Sequence, residues 1–429
     1  MNDKRPVVID LFAGAGGLSL GFEQAGFDVV AAAEIDPVHA CVHRFNFPDC
    51  AVMPRSVADV SGNDLRAIAN LDSKTPIDVV VGGAPCQGFS LMGQRALDDP
   101  RNVLAKEFIR IVNELRPSYF LFENVKGLTI GAHLNFLQEV LDWFHRIGYD
   151  VLQPWQVLNA RDYGVPQCRE RLFLLGAKRG CPLPSYPAPL PSEHAVTCSD
   201  ALADLPDAEQ FESLLFGDEV MADYSAGANG YSALMRCRQA RGWRYGYRRL
   251  WDARMLTSSR RTAHTVVSRK RFSQTKPGTR EPISRFFRLS ADGVSNTLRA
   301  GTDAARGAFT SPRPIHYQYA RCITVREMAR LHGFPDWFRF HATKWHGARQ
   351  VGNSVPPPLA FAIAREIFKC LPHVLTHPQR PVPLGDTALL NMDMTASSAY
   401  WGVKNPIAKR NQKSGRRKRK QSELEALAP

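Results

Sequence analysis

Cys86 stands in Gly82-Gly83-Ala84-Pro85-Cys86-Gln87-Gly88-Phe89-Ser90, directly after the apolar run Ile77-Asp78-Val79-Val80-Val81. The run reads as a buried strand that ends in a glycine-rich loop. There the missing Cβ atoms let the backbone approach a ligand, and proline stiffens the approach. A thiol at the carboxyl end of a strand in an open α/β sheet lies where such folds bind ligands, and its thiolate is a nucleophile. A buried structural cysteine is the commoner fate, so the loop alone leaves both readings open. Glu123 ends a second apolar strand, Tyr119-Phe120-Leu121-Phe122, and is followed by Asn124-Val125. A carboxyl there is either an acid held protonated by burial or an ordinary helix cap. In Gln167-Cys168-Arg169-Glu170-Arg171 the two arginines alternate and share one face of a strand, as they also would on a solvated surface.

A second constellation opens the chain: Val7-Val8-Ile9-Asp10-Leu11-Phe12-Ala13-Gly14-Ala15-Gly16-Gly17-Leu18. It reads as strand, glycine turn and an apolar helix to Gly26. A further strand, Val29 to Ala33, ends in Glu34-Ile35-Asp36. This strand-turn-helix-strand-acid layout suits a nucleotide-type cofactor: the glycines admit it to the helix N-terminus and the acid accepts ribose hydroxyls. The spacing is Gly-x-Gly-Gly, which departs from the Gly-x-Gly-x-x-Gly dinucleotide fingerprint.

Five motifs follow in order: Asp10 to Gly17, Pro85-Cys86-Gln87, Glu123-Asn124-Val125, Gln167 to Arg171, and Gly352-Asn353-Ser354-Val355-Pro356. The series resembles that of the DNA (cytosine-5) methyltransferases of bacterial restriction–modification systems, over residues 7–178 and 318–368. The resemblance implies that Cys86 is the nucleophile that adds to C6 of cytosine and turns C5 into a carbon nucleophile. It implies that Glu123 meets N3 and the exocyclic amine, that Arg171 holds O2 of the flipped base, and that Arg169 supports the catalytic loop. The implied cofactor is S-adenosylmethionine, without a metal. Phe12, Gly14 and Gly16 would line its methionine part, Glu34 its ribose, Ile35 and Asp59 its adenine. Pro85, Leu104, Asn353 and Ser354 would complete the pocket, with Asp10 and Gly17 of the glycine turn also binding the cofactor. Ala84 stands where the family usually has another proline.

These groups need a scaffold. Strands are expected at Val7–Phe12, Val29–Glu34, Asp78–Gly82, Tyr119–Glu123, Trp155–Asn159 and Arg171–Ala177, with helices at Asn102–Leu115 and Leu134–Ile147. The alternation predicts an α/β fold: a doubly wound, mostly parallel sheet of the S-adenosylmethionine-dependent methyltransferase type. A Pro-rich stretch, Pro182 to Pro191, marks a boundary. Residues 181–316 then lose the alternation and read as an inserted small recognition domain, mostly irregular and β. The capping-box spacing at Thr324-Val325-Arg326-Glu327 starts a helix, and Pro358 to Phe368 forms another, so residues 317–375 return to complete the catalytic domain. Arg326-Glu327 and Phe334-Pro335-Asp336 match a family helix that organises the basic domain. Residues 376–429 read as a disordered basic tail.

The net charge is +14, and it is concentrated. Between Arg236 and Arg313 there are 17 Arg and 2 Lys against four acids, and Lys404 to Lys420 holds nine basic residues and no acid. The remainder is therefore acidic. A concentrated arginine surplus points to a polyanion, and arginine's fork suits phosphate and guanine edges. Double-stranded DNA is the expected partner, with recognition between Cys181 and Pro314; Thr297-Leu298-Arg299-Ala300-Gly301-Thr302 resembles the short segment near the end of the family's recognition domain. The nine cysteines are scattered, with no Cys-x-x-Cys pair, which argues against a disulfide framework or a zinc site. Nothing resembles a signal peptide, and no apolar run approaches the ~20 residues that span a bilayer. The expectation is a cytoplasmic monomer, with any cognate restriction endonuclease acting separately. A tRNA cytosine-5 methyltransferase is the alternative, though its insert is usually much shorter. An NAD-type oxidoreductase would need the longer glycine spacing. A catalytically dead DNA-binding module would have lost Cys86, Glu123 or the glycine turn.

Overall fold

The computed structural model describes residues 4–85, 103–131, 133–191, 195–225, 230–301 and 312–405. In chain order the first part runs β1 (Val7–Leu11), α1 (Gly17–Ala25), β2 (Asp28–Ala33), α2 (Pro37–Asn46), β3 (Ala51–Met53), α3 (Gly62–Ile68), β4 (Val79–Gly83), α4 (Val103–Leu115), β5 (Tyr119–Val125), α5 (His133–Arg146), β6 (Tyr149–Val151), β7 (Gln156–Asn159) and β8 (Glu170–Lys178). The sheet order is β3-β2-β1-β4-β5-β8-β6, with β7 also on β8. The first five strands in that order are parallel, and β8 runs antiparallel to β5, β6 and β7. Val79, Val80 and Val81 are fully buried, as an unbroken apolar run requires when helices cover both sheet faces. The parallel strands bring the ends of β1, β2, β4 and β5 to one edge of the sheet.

The inserted segment carries α6 (Cys198–Leu202), β9 (Val220–Met221), α7 (Gly230–Met235), α8 (Ala240–Trp243), β10 (Arg249–Leu250), β11 (Met255–Leu256) and α9 (Val266–Gln274). Its strands are two residues each, so its regular structure is more helical than the expected mix of irregular and β. One apolar cluster joins its Leu202, Leu214, Met235 and Trp243 to Leu20 of α1 and to Val42 and Phe45 of α2. The same cluster takes in Phe334, Trp337 and Leu390 from later in the chain.

The return segment holds α10 (Val325–His332), α11 (Lys344–Asn353) and α12 (Pro357–Lys369). The expected capping box is present: Thr324 and Glu327 bond each other's backbone. Arg326, buried, donates to Thr257 Oγ1 at 2.7 Å and to Phe338 O at 2.7 Å. That joins the return segment to the insert.

The disordered-tail expectation is corrected for residues 376–405. They form β12 (Val382–Pro383), which pairs in parallel with β10, and α13 (Met394–Trp401), which packs on α2. Leu389 and Leu390 between them are buried. Polar and Pro-rich composition concealed those few apolar anchors. The basic run from Lys409 to Lys420 lies outside the described residues.

Candidate active site

The root of the cysteine loop is built from β4 and β5. Gly83 pairs with Glu123 in the register, and a Cβ on Gly83 would stand 2.5 Å from Glu123 Oε2. Only glycine there leaves room for the carboxylate. Asn124 Nδ2 donates to Ala84 O at 3.2 Å and so ties the loop root to the neighbouring strand. Ala84 is buried and Pro85 exposed. Cys86 itself lies outside the described residues.

Glu123 points at Arg171. Arg171 Nε lies 3.0 Å from Glu123 Oε1, and both side chains are mostly buried. Burial pushes the Glu123 carboxyl above its ordinary value, while Arg171 and then Arg169 pull it back. Arg169 does a different job from its neighbour. It is buried and donates to Leu298 O at 3.2 Å and Gly352 O at 3.0 Å, clamping the insert to the last turn of α11. Desolvation and the adjacent Arg171 bring its pKa down to about 9.

The glycine turn is strained and pinned. Phe12 adopts φ 58°, rare for a bulky residue, and Gly14 and Gly16 also have positive φ. Glu34 holds the turn: its Oε2 accepts from Gly14 N and its Oε1 from Asp36 N, both at 2.8 Å. Each oxygen keeps a lone pair for a hydroxyl. Beside it Ile35 is 53 % exposed, an apolar face next to an acid. A Cβ on Gly17 would lie 2.4 Å from Val355 O, so glycine lets α1 start against the segment after Asn353 and Ser354. Asn353 is exposed, whereas Ser354 is buried and donates to Gln350 O at 2.7 Å. Asp59 is exposed and Leu104 half-buried.

Asp10 lies under the turn rather than along it. It is fully buried, accepts from Ser19 Oγ at 2.6 Å, and Ser19 Oγ is 3.0 Å from His43 Nε2. Burial pushes the Asp10 carboxyl up to about 7 and the His43 imidazole down to about 3. Asp10 therefore braces the start of α1.

One chain of contacts was invisible to motif reading. Gln167 Oε1 accepts from Leu298 N at 3.0 Å, and Gln167 Nε2 is 2.9 Å from His332 Nδ1. His332 Nε2 is 2.9 Å from Ser354 O. Burial holds His332 neutral, so Nε2–H donates to Ser354 O while Nδ1 accepts from Gln167. The signal for it in the sequence was a histidine closing α10, a helix whose residues are all buried.

The arginine surplus proves partly structural. Arg249 forms a buried fork with Glu23, Arg236 and Arg313 are buried, and Arg288 donates to backbone carbonyls. Arg269 pairs with Glu209 and Arg254 with Asp252.

A family model described as C-5 cytosine-specific DNA methylase matches residues 7–369. The chain belongs to that family. It is a DNA cytosine-5 methyltransferase, as the motif series implied. The methylase is 55% identical over 406 residues to the type II methyltransferase M.XorII of Xanthomonas oryzae pv. oryzae, which covers 95% of each chain. It is 34% identical to M1.HphI of Haemophilus parahaemolyticus, covering 84% of this chain and 86% of the relative. A crystal structure assigned as a DNA modification methyltransferase, encoded within an E. coli prophage, superposes with TM-score 0.71 at 33% identity. That match covers 85% of this methylase and 99% of the other chain. The S. pombe Dnmt2 methyltransferase, at 16% identity and TM-score 0.52, shares the fold. Among the described residues no group of three or more His, Cys, Asp or Glu is placed to hold a metal, and no helix is long and apolar enough to cross a membrane.

Proposed function

We propose that this methylase transfers a methyl group from S-adenosylmethionine to C5 of a flipped-out cytosine in a short duplex site, through a Cys86–C6 adduct, as the modification enzyme of a restriction–modification system. The observation that carries this reading is that the Glu123–Arg171 pair and the Glu34-pinned glycine turn flank the root of the cysteine loop on one sheet edge.

The residues present fit the cofactor. Space beside Gly14 is open, each Glu34 oxygen accepts only one backbone N–H and could accept a hydroxyl, and Ile35 offers an exposed apolar face. When bound, S-adenosylmethionine supplies an electrophilic methyl on a sulfonium. This chain's own residues do the rest. The Cys86 thiolate adds to C6, Glu123 gives a proton to N3, and the ring becomes an enamine nucleophilic at C5. After methylation, water takes the C5 proton, the thiolate leaves C6, and N3 returns its proton to Glu123, which restores the ring. Arg171 holds Glu123 in place and reaches O2 of the base. Neither C5 nor C6 has an open face inside a stack, so the base must leave the duplex first.

The restriction–modification setting draws on the type II relatives. They also disfavour the tRNA alternative, as does the family description. The test is to supply tritiated S-adenosylmethionine with plasmid and, in parallel, tRNA, then map methylcytosine by bisulfite sequencing. Methylation at one recurring duplex site is expected. Label on tRNA alone would overturn the reading. Cys86→Ala should abolish turnover yet retain duplex binding; loss of both would give the thiol a structural role.

A further inference from the structure

Helix α9 has an inner face spent on folding and an outer face that folding leaves bare. Inside, Phe272 is buried with Ile315 and Cys322. Arg269 pairs with Glu209, and Arg271 lies 3.6 Å from Glu281. Outside, Val266 is 82 % exposed and Val267 50 % exposed. Lys270 and Gln274 are also exposed and complete the stripe at i, i+1, i+4 and i+8. Ile283 nearby in sequence is 68 % exposed.

Two bared β-branched residues at a helix start favour neither the helix nor the solvent. The charge around them is one-sided. Glu281 is taken by Arg271 and by the backbone N–H groups of Ile283 and Ser284; Glu209 is taken by Arg269. The side-chain cations of Lys270, Lys276, Arg280 and Arg285, all exposed, have no hydrogen-bond or ion-pair partner among the described residues. Such a surface complements a polyanion that also offers methyl groups and amide-like edges. The major groove of duplex DNA does so, and it is wide enough to admit a helix.

Resting on the reading above, we propose that α9 is the base-reading element of this methylase. Val266 and Val267 meet thymine methyl groups, Gln274 bonds an adenine edge, Lys270 a guanine edge, and Lys276, Arg280 and Arg285 grip flanking phosphates. The site recognised then contains at least one A·T pair, whose thymine methyl and adenine edge are both read.

The experiment uses the full chain and duplexes carrying the mapped site, with each thymine in turn replaced by uracil and each base pair in turn changed. Uracil lacks only the methyl group. Wild type should methylate at least one uracil duplex about fourfold more slowly, the worth of one buried methyl. Val266→Ala/Val267→Ala should erase that difference. Gln274→Ala should lose about 10- to 100-fold of discrimination at one adenine. Arg280→Ala/Arg285→Ala should weaken all duplexes alike and lower the salt slope by about two. Arg254→Ala, whose arginine is ion-paired with Asp252, both outside α9, should change none of these. Thymine–uracil and adenine discrimination unchanged in the α9 variants would overturn the inference. Absence of duplex methylation by wild type would instead overturn the reading of function.

Discussion

Glu123 and Arg171 meet across β5 and β8, Nε to Oε1 at 3.0 Å, in a site where burial favours the neutral acid and the arginine favours the anion. The proposed chemistry needs Glu123 protonated, so its contribution is present below its pKa and fades as pH rises through it. Arg171→Ala removes the main influence pulling that pKa down. The alkaline limb of kcat should therefore move to higher pH, while the maximum falls for want of a group on O2. Glu123→Gln cannot give a proton and should lower kcat by about 10²- to 10⁴-fold. Methylation rates measured from pH 6 to 9 check both; an alkaline limb that moves down in Arg171→Ala would contradict the assignment.

Glu34 joins β2 to the glycine turn through Gly14 N and Asp36 N. Glu34→Ala leaves two backbone donors without their charged acceptor and frees a turn that Phe12 already strains. Charged hydrogen bonds contribute about 1.5–3 kcal/mol, so S-adenosylmethionine should bind about 10- to 100-fold more weakly. Calorimetric titration reads this directly. Glu34→Gln keeps the acceptor oxygen and should recover part of the loss. An unchanged Kd in both would place the cofactor elsewhere.

Motifs on strand ends were readable because the chemistry and the element that carries it are adjacent in the chain. Glu123 follows four apolar strand residues, and the glycine turn follows β1. Contacts made at a distance were not. Gln167 and His332 are 165 positions apart, and no local pattern couples them. The arginines misled in part because composition cannot tell a guanidinium that faces DNA from Arg249, buried on Glu23. Residues 376–405 misled because two leucines and a short helix anchor an otherwise polar segment. The three-residue strands β3 and β6 escaped notice since so short a run carries no period.

His332 lets the turn at Ser354 feel the insert at Leu298 through one neutral imidazole. Its folded pKa lies well below 6.5, so the unfolded chain takes up a proton below that pH and the folded chain does not. Stability must then fall as pH drops through about 6.5. His332→Gln can still donate to Ser354 O and accept from Gln167, yet it does not titrate. Below about pH 6 its unfolding free energy should depend on pH less steeply than wild type, by about 1.4 kcal/mol per pH unit. Urea unfolding between pH 5 and 7 gives the slopes. Equal slopes would mean that His332 is protonated in the fold.

Arg330 is the densest junction between insert and return segment. Its guanidinium bonds Asp336 at 2.6 and 2.7 Å and Asp204 at 2.9 and 3.2 Å, with no part of it exposed. Arg330→Met keeps the bulk but strands two buried carboxylates, which should cost about 3–5 kcal/mol. The loss belongs to the unpaired acids more than to the missing bonds. Arg330→Met/Asp204→Leu/Asp336→Leu removes these three charges and fills the space, leaving Arg326, 3.9 Å from Asp336, on its carbonyl and hydroxyl partners; it should therefore recover much of the loss. Urea midpoints of the two variants separate the cases: a triple variant no more stable than Arg330→Met would show that the hydrogen bonds themselves hold the insert on α10.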